Sequence, residues 1–208
     1  MQSNTSNSFL SWFESFSLVT GALVGVAAGL IKLFGKKTDT IKENQEFIQV
    51  HSEIHETLTE LRIKTDSARA QIIQFHNGEY FMDGVSMRKF SLTHESLARG
   101  MSADASRIKG LLCSMFLPLL NYIVANKSVL VDVQKMQHSF CKQFFEDNNV
   151  EGFCVLPIKI KNQITAFLLV QWCNGMKFEY TKPIEIEEIM NSARDAIEVQ
   201  LASQKKGR

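Results

Sequence analysis

The stretch VEGFCVLPIKIKNQITAFLLVQWC, residues 150–173, decides the fold. Two runs rich in Val, Ile, Leu and Phe flank a polar joint at Lys161-Asn162-Gln163. That pattern predicts two strands joined as a hairpin. Just upstream, SVLVDV (128–133) predicts a short strand ending in a polar connection, and HSFCKQFFEDNN (138–149) a short helix. Downstream, Pro183 to Ser203 predicts an amphipathic helix with Ile186, Ile189, Met190, Ala193, Ile197 and Leu201 as its buried stripe. Pro183 suits the first turn, and Glu185, Glu187 and Glu188 suit the positive end of the helix dipole.

The segment before this block is patterned in the same mixed way. ARAQIIQFHNGEY (68–80) predicts a strand entering an Asn77-Gly78 turn. SMRKFSLTHESLA (86–98) predicts a second strand, with Phe90, Leu92 and His94 on one face and Ser91, Thr93 and Glu95 on the other. Residues 103–126 carry a helical stripe of Ile108, Leu111, Leu112, Met115, Leu119 and Ile123, which Pro118 should kink or divide. Strands in adjacent hairpins, with helices at the ends and one middle crossover, predict an α+β fold: an antiparallel sheet flanked by helices.

Residues 128–202 resemble a GAF domain, the small sensory fold related to PAS. SVLVDV is similar to the family's strand before its short helix. VEGFCVLPIKIKNQITAFLLVQW is similar to its paired strands, with Pro157 ending the first. IEIEEIMNSARDAIEVQL is similar to its closing helix. The chain departs at Ile164-Thr165-Ala166, where the family usually has a Gly. The resemblance implies a ligand pocket between the sheet and the middle helices. It does not name the ligand. Asn126-Lys127 and Phe145-Glu146-Asp147 do not reproduce the spacing of the cyclic-nucleotide signature. None of Cys113, Cys141, Cys154 or Cys173 is followed by the His common in bilin-binding members. His76, His94 and His138 are the histidines a haem would have to use, with nothing to single one out. No cofactor is expected.

Ahead of this domain lies Phe16–Phe34, nineteen apolar or small residues with Lys32 as the only charge. As a helix it would be roughly 28 Å long, close to the hydrocarbon thickness of a bilayer. Trp12 and Phe13 precede it, and Lys32, Lys36 and Lys37 close it. Residues 1–15 hold no Lys or Arg, unlike a secretory leader. A soluble helix this apolar would need partners on every side. The expectation is a single transmembrane helix over 16–35, with the basic flank and the rest of the chain on the cytoplasmic side. Gly21, Gly25 and Gly29 line one face of it, a spacing that lets two such helices pack closely. Residues 38–66 place Phe47, Val50, Ile54, Thr57 and Leu61 at a/d spacing, with Ile41 and Leu58 just off the stripe. That predicts a short coiled-coil-like helix, with an amphipathic helix lying on its own domain as the alternative. His51 and His55 have no third ligand nearby, so they are read as solvated and no metal is expected.

The expected layout is therefore a polar tip (1–15), the span (16–35), the juxtamembrane helix (38–66), a GAF-like domain (67–203) and a basic tail (204–208). With 208 residues, enough chain remains beyond the span for one domain with a core. The net charge of +1 gives no electrostatic case for nucleic acid. Four cysteines without ligand spacing predict reduced, mostly buried thiols.

The segment best placed for specificity is FHNGEYFMDGVSMRKFSLTHE (75–95), from which His76, Asn77, Tyr80, Arg88 and His94 are the candidate ligand-binding residues. Catalytic motifs for serine hydrolases, zinc proteases and nucleotide-binding loops are absent, and no cysteine has an adjacent base, so no enzyme is expected. The sequence points to a membrane-anchored sensor or adaptor that self-associates and signals to a separate protein partner. The alternative is an assembly component, virus-encoded or accessory, with a filled core and no ligand. Fifteen Phe and eight Met lean slightly towards a filled core.

Overall fold

The computed structural model describes residues 44–80, 82, 84, 86–125, 129–175 and 183–204. The chain divides into two units, Met1–Ile48 and Gln49–Arg208. Of the first, only residues 44–48 are described, and they are helical. The span proposed for Phe16–Phe34, with Gly21, Gly25 and Gly29, lies outside the described residues. Among those described, no helix is long and apolar enough to cross a membrane.

The elements run α1 (44–64), β1 (Arg69–Tyr80), β2 (Ser86–Leu97), β3 (Leu111–Leu112), a 3-10 turn (Cys113–Phe116), α2 (Leu117–Val124), β4 (Val129–Asp132), α3 (Phe140–Asp147), β5 (Val150–Ile160), β6 (Gln163–Cys173) and α4 (Pro183–Gln204). Six strands form one antiparallel sheet in the order β3-β2-β1-β6-β5-β4. Lys161 and Asn162, both at positive φ, make the tight β5–β6 turn expected at that joint. Side chains alternate across β1, β5 and β6, so the sheet is covered on both faces by separate cores. On one face Ile54, Leu58 and Leu61 of α1 and Met190, Ile197 and Leu201 of α4 pack on Ile72, Leu168 and Val170. On the other, Phe116, Leu119 and Phe145 of the middle elements pack on Ile73, Phe153 and Phe167.

Three expectations change. The 103–126 stripe is not one helix. Leu111 and Leu112 pair with Phe90 and Lys89, and α2 begins only at Leu117, with Pro118 in its first turn. Proline suits that position because its missing N–H has no partner there. Asn77-Gly78 is not the turn: β1 runs on to Tyr80, and residues 81–85 make the connection. Asn77 stands opposite Arg88 and Tyr80 opposite Ser86, so two residues of β1 face Met87 alone, a bulge. Gly78 is required for closeness, since a Cβ there would lie 2.6 Å from the Met87 carbonyl oxygen. Third, Ile54, Leu58 and Leu61 of α1 are fully buried against the domain, which is the alternative to a coiled coil. Phe47 and Ile48 remain exposed.

A buried ion pair organises the second face. Arg69 and Asp104 are each 2 % exposed, with Nε and Oδ2 3.3 Å apart, an ion-pair distance without hydrogen-bond alignment. Arg69 also donates to Gln171 Oε1 (3.2 Å) and to the Ser102 carbonyl (3.4 Å). Gln71 Nε2 donates to Glu95 Oε1 (2.7 Å) and Asp104 Oδ2 (3.2 Å). The Asp104 backbone N–H donates back to the Glu95 carboxylate at 3.1 Å. Breaking such a pair on one side leaves a buried charge uncompensated. Arg69→Met is expected to cost about 3–5 kcal/mol in urea unfolding, and Arg69→Met with Asp104→Leu markedly less.

Candidate functional site

The five candidate residues do not converge. His76, Asn77, Tyr80 and Arg88 all sit on the outer half of the β1–β2 hairpin and are exposed. His76 Nε2 is 2.9 Å from Ser91 Oγ, and its Nδ1 3.1 Å from the Asn77 carbonyl. Tyr80 is 65 % exposed. His94 is separated from them by a second bulge. Ile72 pairs with His94 and Ile73 with Leu92, leaving Thr93 as the extra residue. The alternation therefore skips, and His94 turns away from Phe90 and Leu92 to the α1 face, correcting the shared face expected from sequence.

There His94 meets α1. Its Nε2 lies 2.6 Å from His51 Nδ1, with the rings stacked at 4.8 Å and 14°. His51 is therefore not a solvated helix-face residue. Desolvation, then the nearby His51 and His55, hold the His94 imidazole down at about 4. Burial also lowers His51. One ring donates and the other accepts, and protonating both sets two N–H groups against each other.

Of these candidates, Arg88 lines a cavity formed among the described residues. A cleft of about 250 Å³ opens between α2 and the sheet, walled by Phe75 of β1, Ile164 of β6, Leu120 and Val124 of α2, Cys113 and Arg88. Its origin is a third bulge. Ile158 pairs with Ala166 but Lys159 with Ile164, so Thr165 is extra. The β1–β6 register ends at Gln74 and Ala166, just where this bulge bends β6. The strands part, and Phe75 and Ile164 become the cleft wall. This is the place where the sequence departs from the family's Gly.

Cys113, Leu120 and Ile164 were not singled out from sequence. Pro118 was the available signal, since a helix starting there puts Leu120 and Val124 one turn apart on a face that the 103–126 stripe does not use. The Cys113 thiol is pushed up by burial, with Arg88 opposing the shift. Burial pushes Cys141 and Cys173 up to about 11. These thiols are held protonated, which gives no support to a cysteine nucleophile. Among the described residues no cluster of His, Cys, Asp or Glu can hold a metal ion.

Solved structures place the fold. The chain is similar to the photoproduct state of GAF3 from Slr1393 of Synechocystis sp. PCC6803, with a TM-score of 0.57 at 15 % identity, over 76 % of this chain and 96 % of that one. It is similar to the phycoerythrobilin-bound GAF domain of a cyanobacterial phytochrome, with a TM-score of 0.55 at 15 % identity, over 82 % and 94 %. It is also similar to the red/green cyanobacteriochrome NpR6012g4, with a TM-score of 0.57 at 14 % identity, over 76 % and 96 %. This chain has the GAF fold. No family model matches the sequence, and no curated protein does. A bilin does not fit the residues present: the cleft is below the usual volume of pockets for drug-sized ligands, and its one cysteine is followed by Ser114.

The histidine pair yields a pH prediction. His94 is neutral in the folded chain down to about pH 4, whereas unfolded histidine protonates near 6.5. The unfolded state therefore binds more protons between those values, and stability falls as pH drops through that window. His94→Phe is expected to flatten this part of the pH dependence in thermal melts, while wild type loses melting temperature steadily from pH 6.5 to 4.

Proposed function

We propose that this chain is a non-enzymatic sensor or adaptor of GAF fold, anchored by Phe16–Phe34 in a membrane with the folded domain on the cytoplasmic side. Its ligand enters the cleft beside Arg88, and its output is contact with a separate protein partner. One observation carries this reading: on the helix-covered face of a GAF sheet, bulged β6 parts from β1 and leaves apolar walls with a guanidinium at the rim. An apolar concavity with one oriented polar group is the general form of a small-molecule site. Self-association through Gly21, Gly25 and Gly29 would bring two such domains together.

The assembly reading has an observation of its own. Much of the space between the sheet and the middle elements is occupied by phenylalanines: Phe90 packs edge-on to Phe116 at 5.1 Å, and Phe145 stacks on Phe153 at 4.5 Å. A building block with no ligand would have such an interior.

The full chain extracted in mild detergent separates the two. The sensor reading expects a dimer by light scattering and a co-purified small molecule by native mass spectrometry. A large oligomer with an empty domain would overturn it. Replacing Gly21, Gly25 and Gly29 together by Ile is expected to shift the dimer to monomer without changing the thermal stability of the folded domain.

A further inference from the structure

We infer that the cleft beside Arg88 takes a single-chain anionic amphiphile, an alkyl chain carrying a carboxylate or phosphate, drawn from the membrane surface. This deepens the sensor reading and rests on it. Three features point to that chemistry.

The first is the wall. Phe75, Leu120, Val124 and Ile164 are apolar, and Val124 is 71 % exposed at the rim. The Cys113 thiol, kept protonated by burial, adds a neutral surface. Apolar groups left half open to water gain most from an apolar guest. At about 250 Å³ the cleft holds roughly eight water-sized units, enough for one alkyl chain or its first part but not for two.

The second is the charge. Arg88 lines the cleft, is exposed, and forms no ion pair among the described residues. A planar guanidinium at the mouth of an apolar cleft matches a head group with two or three equivalent oxygens. A cationic or neutral head would leave it unused.

The third is position. His51 of α1 lies on His94 of β2, while Thr59 and Arg62 lie on Ser96. Helix and strand thus run the same way, and α1 enters at the end where β2 starts. Arg88 and the cleft mouth stand at that end. The apolar segment Phe16–Phe34 shortly precedes α1 in the chain. On the proposed anchoring, that segment would keep the chain at a membrane, which is a source of amphiphiles.

Cys113 supplies the readout, because it alone of the four cysteines is not fully buried. The full chain is reconstituted in phosphatidylcholine vesicles, and maleimide labelling of Cys113 is timed with decanoate, decanol or decyltrimethylammonium, each below its micellar concentration. Decanoate is expected to protect at about tenfold lower concentration than decanol, the scale of one charge-assisted hydrogen bond. Decyltrimethylammonium should protect no better than decanol. Arg88→Gln should bring decanoate to the level of decanol. Val124→Trp gives a second readout at the exposed rim, with indole emission shifting to the blue on decanoate addition. Vesicles doped with lysophosphatidic acid distinguish the sources: protection there without decanoate identifies a lipid head group, and its absence identifies a free fatty acid. Equal protection by decanol and decanoate, unchanged by Arg88→Gln, would overturn the anionic class yet leave the cleft as a ligand site. No response of either readout to any probe, together with a native mass spectrum free of bound molecules, would overturn this inference and the sensor reading together.

Discussion

The Arg69–Asp104 pair is the constraint on which the second face depends. A guanidinium in the middle of a sheet is tolerated only if its charge and donors are met. Here the partners come from β6 through Gln171 and from the 98–110 connection through Asp104 and Ser102. Gln71 Nε2 then donates to Asp104 Oδ2, and Glu95 accepts the Asp104 backbone N–H. Burial pushes the Glu95 carboxyl up, so this acceptor is costly to keep ionised without those donors. The cluster pins the connection across the sheet, and Ile108 follows it into the core, where its carbonyl receives the Leu92 N–H at 2.8 Å. Leu111 and Leu112 are placed beside β2 as a result, and α2 starts where the cleft needs it.

The two faces of the sheet are built differently. The α1–α4 side is aliphatic apart from Trp172, whose Nε1–H donates to the Thr65 carbonyl at 3.2 Å and ties the end of α1 to β6. The other side is aromatic, with rings in edge-on and stacked contact. Rings fill space with few rotatable bonds, which favours a fixed interior and confines open volume to the rim.

Much of the fold was legible in the sequence. The β5–β6 pair, the α4 stripe and the antiparallel sheet all follow from hydrophobic period and turn chemistry, because long periodic segments express themselves locally. The three bulges were not legible. One extra residue in a strand leaves no compositional trace, and its effect is to reverse every side chain beyond it, as at Thr93. Nothing in the sequence marks Arg69 and Gln71 as buried, because their partner Asp104 comes from a distant loop. Of the candidate site, Arg88 was legible as one of the polar residues of the 75–95 segment. Its apolar counterpart was not, since Leu120 and Ile164 become neighbours only through the sheet and α2.

The Thr165 bulge carries one more consequence. Ile164 packs with the aromatic side, whereas Ala166, only two positions on, belongs to the aliphatic side. Regular alternation would put both on one face. The cleft is thus a product of chain count rather than of side-chain size. Removing Thr165 would restore regular alternation with Ile164 still on the aromatic side and is expected to let the β1–β6 ladder run on past Gln74 and Ala166, whereas exchanging one apolar side chain for another would leave the opening in place. In this sheet a change in length at this point, more than a change in composition, would decide whether the mouth stays open.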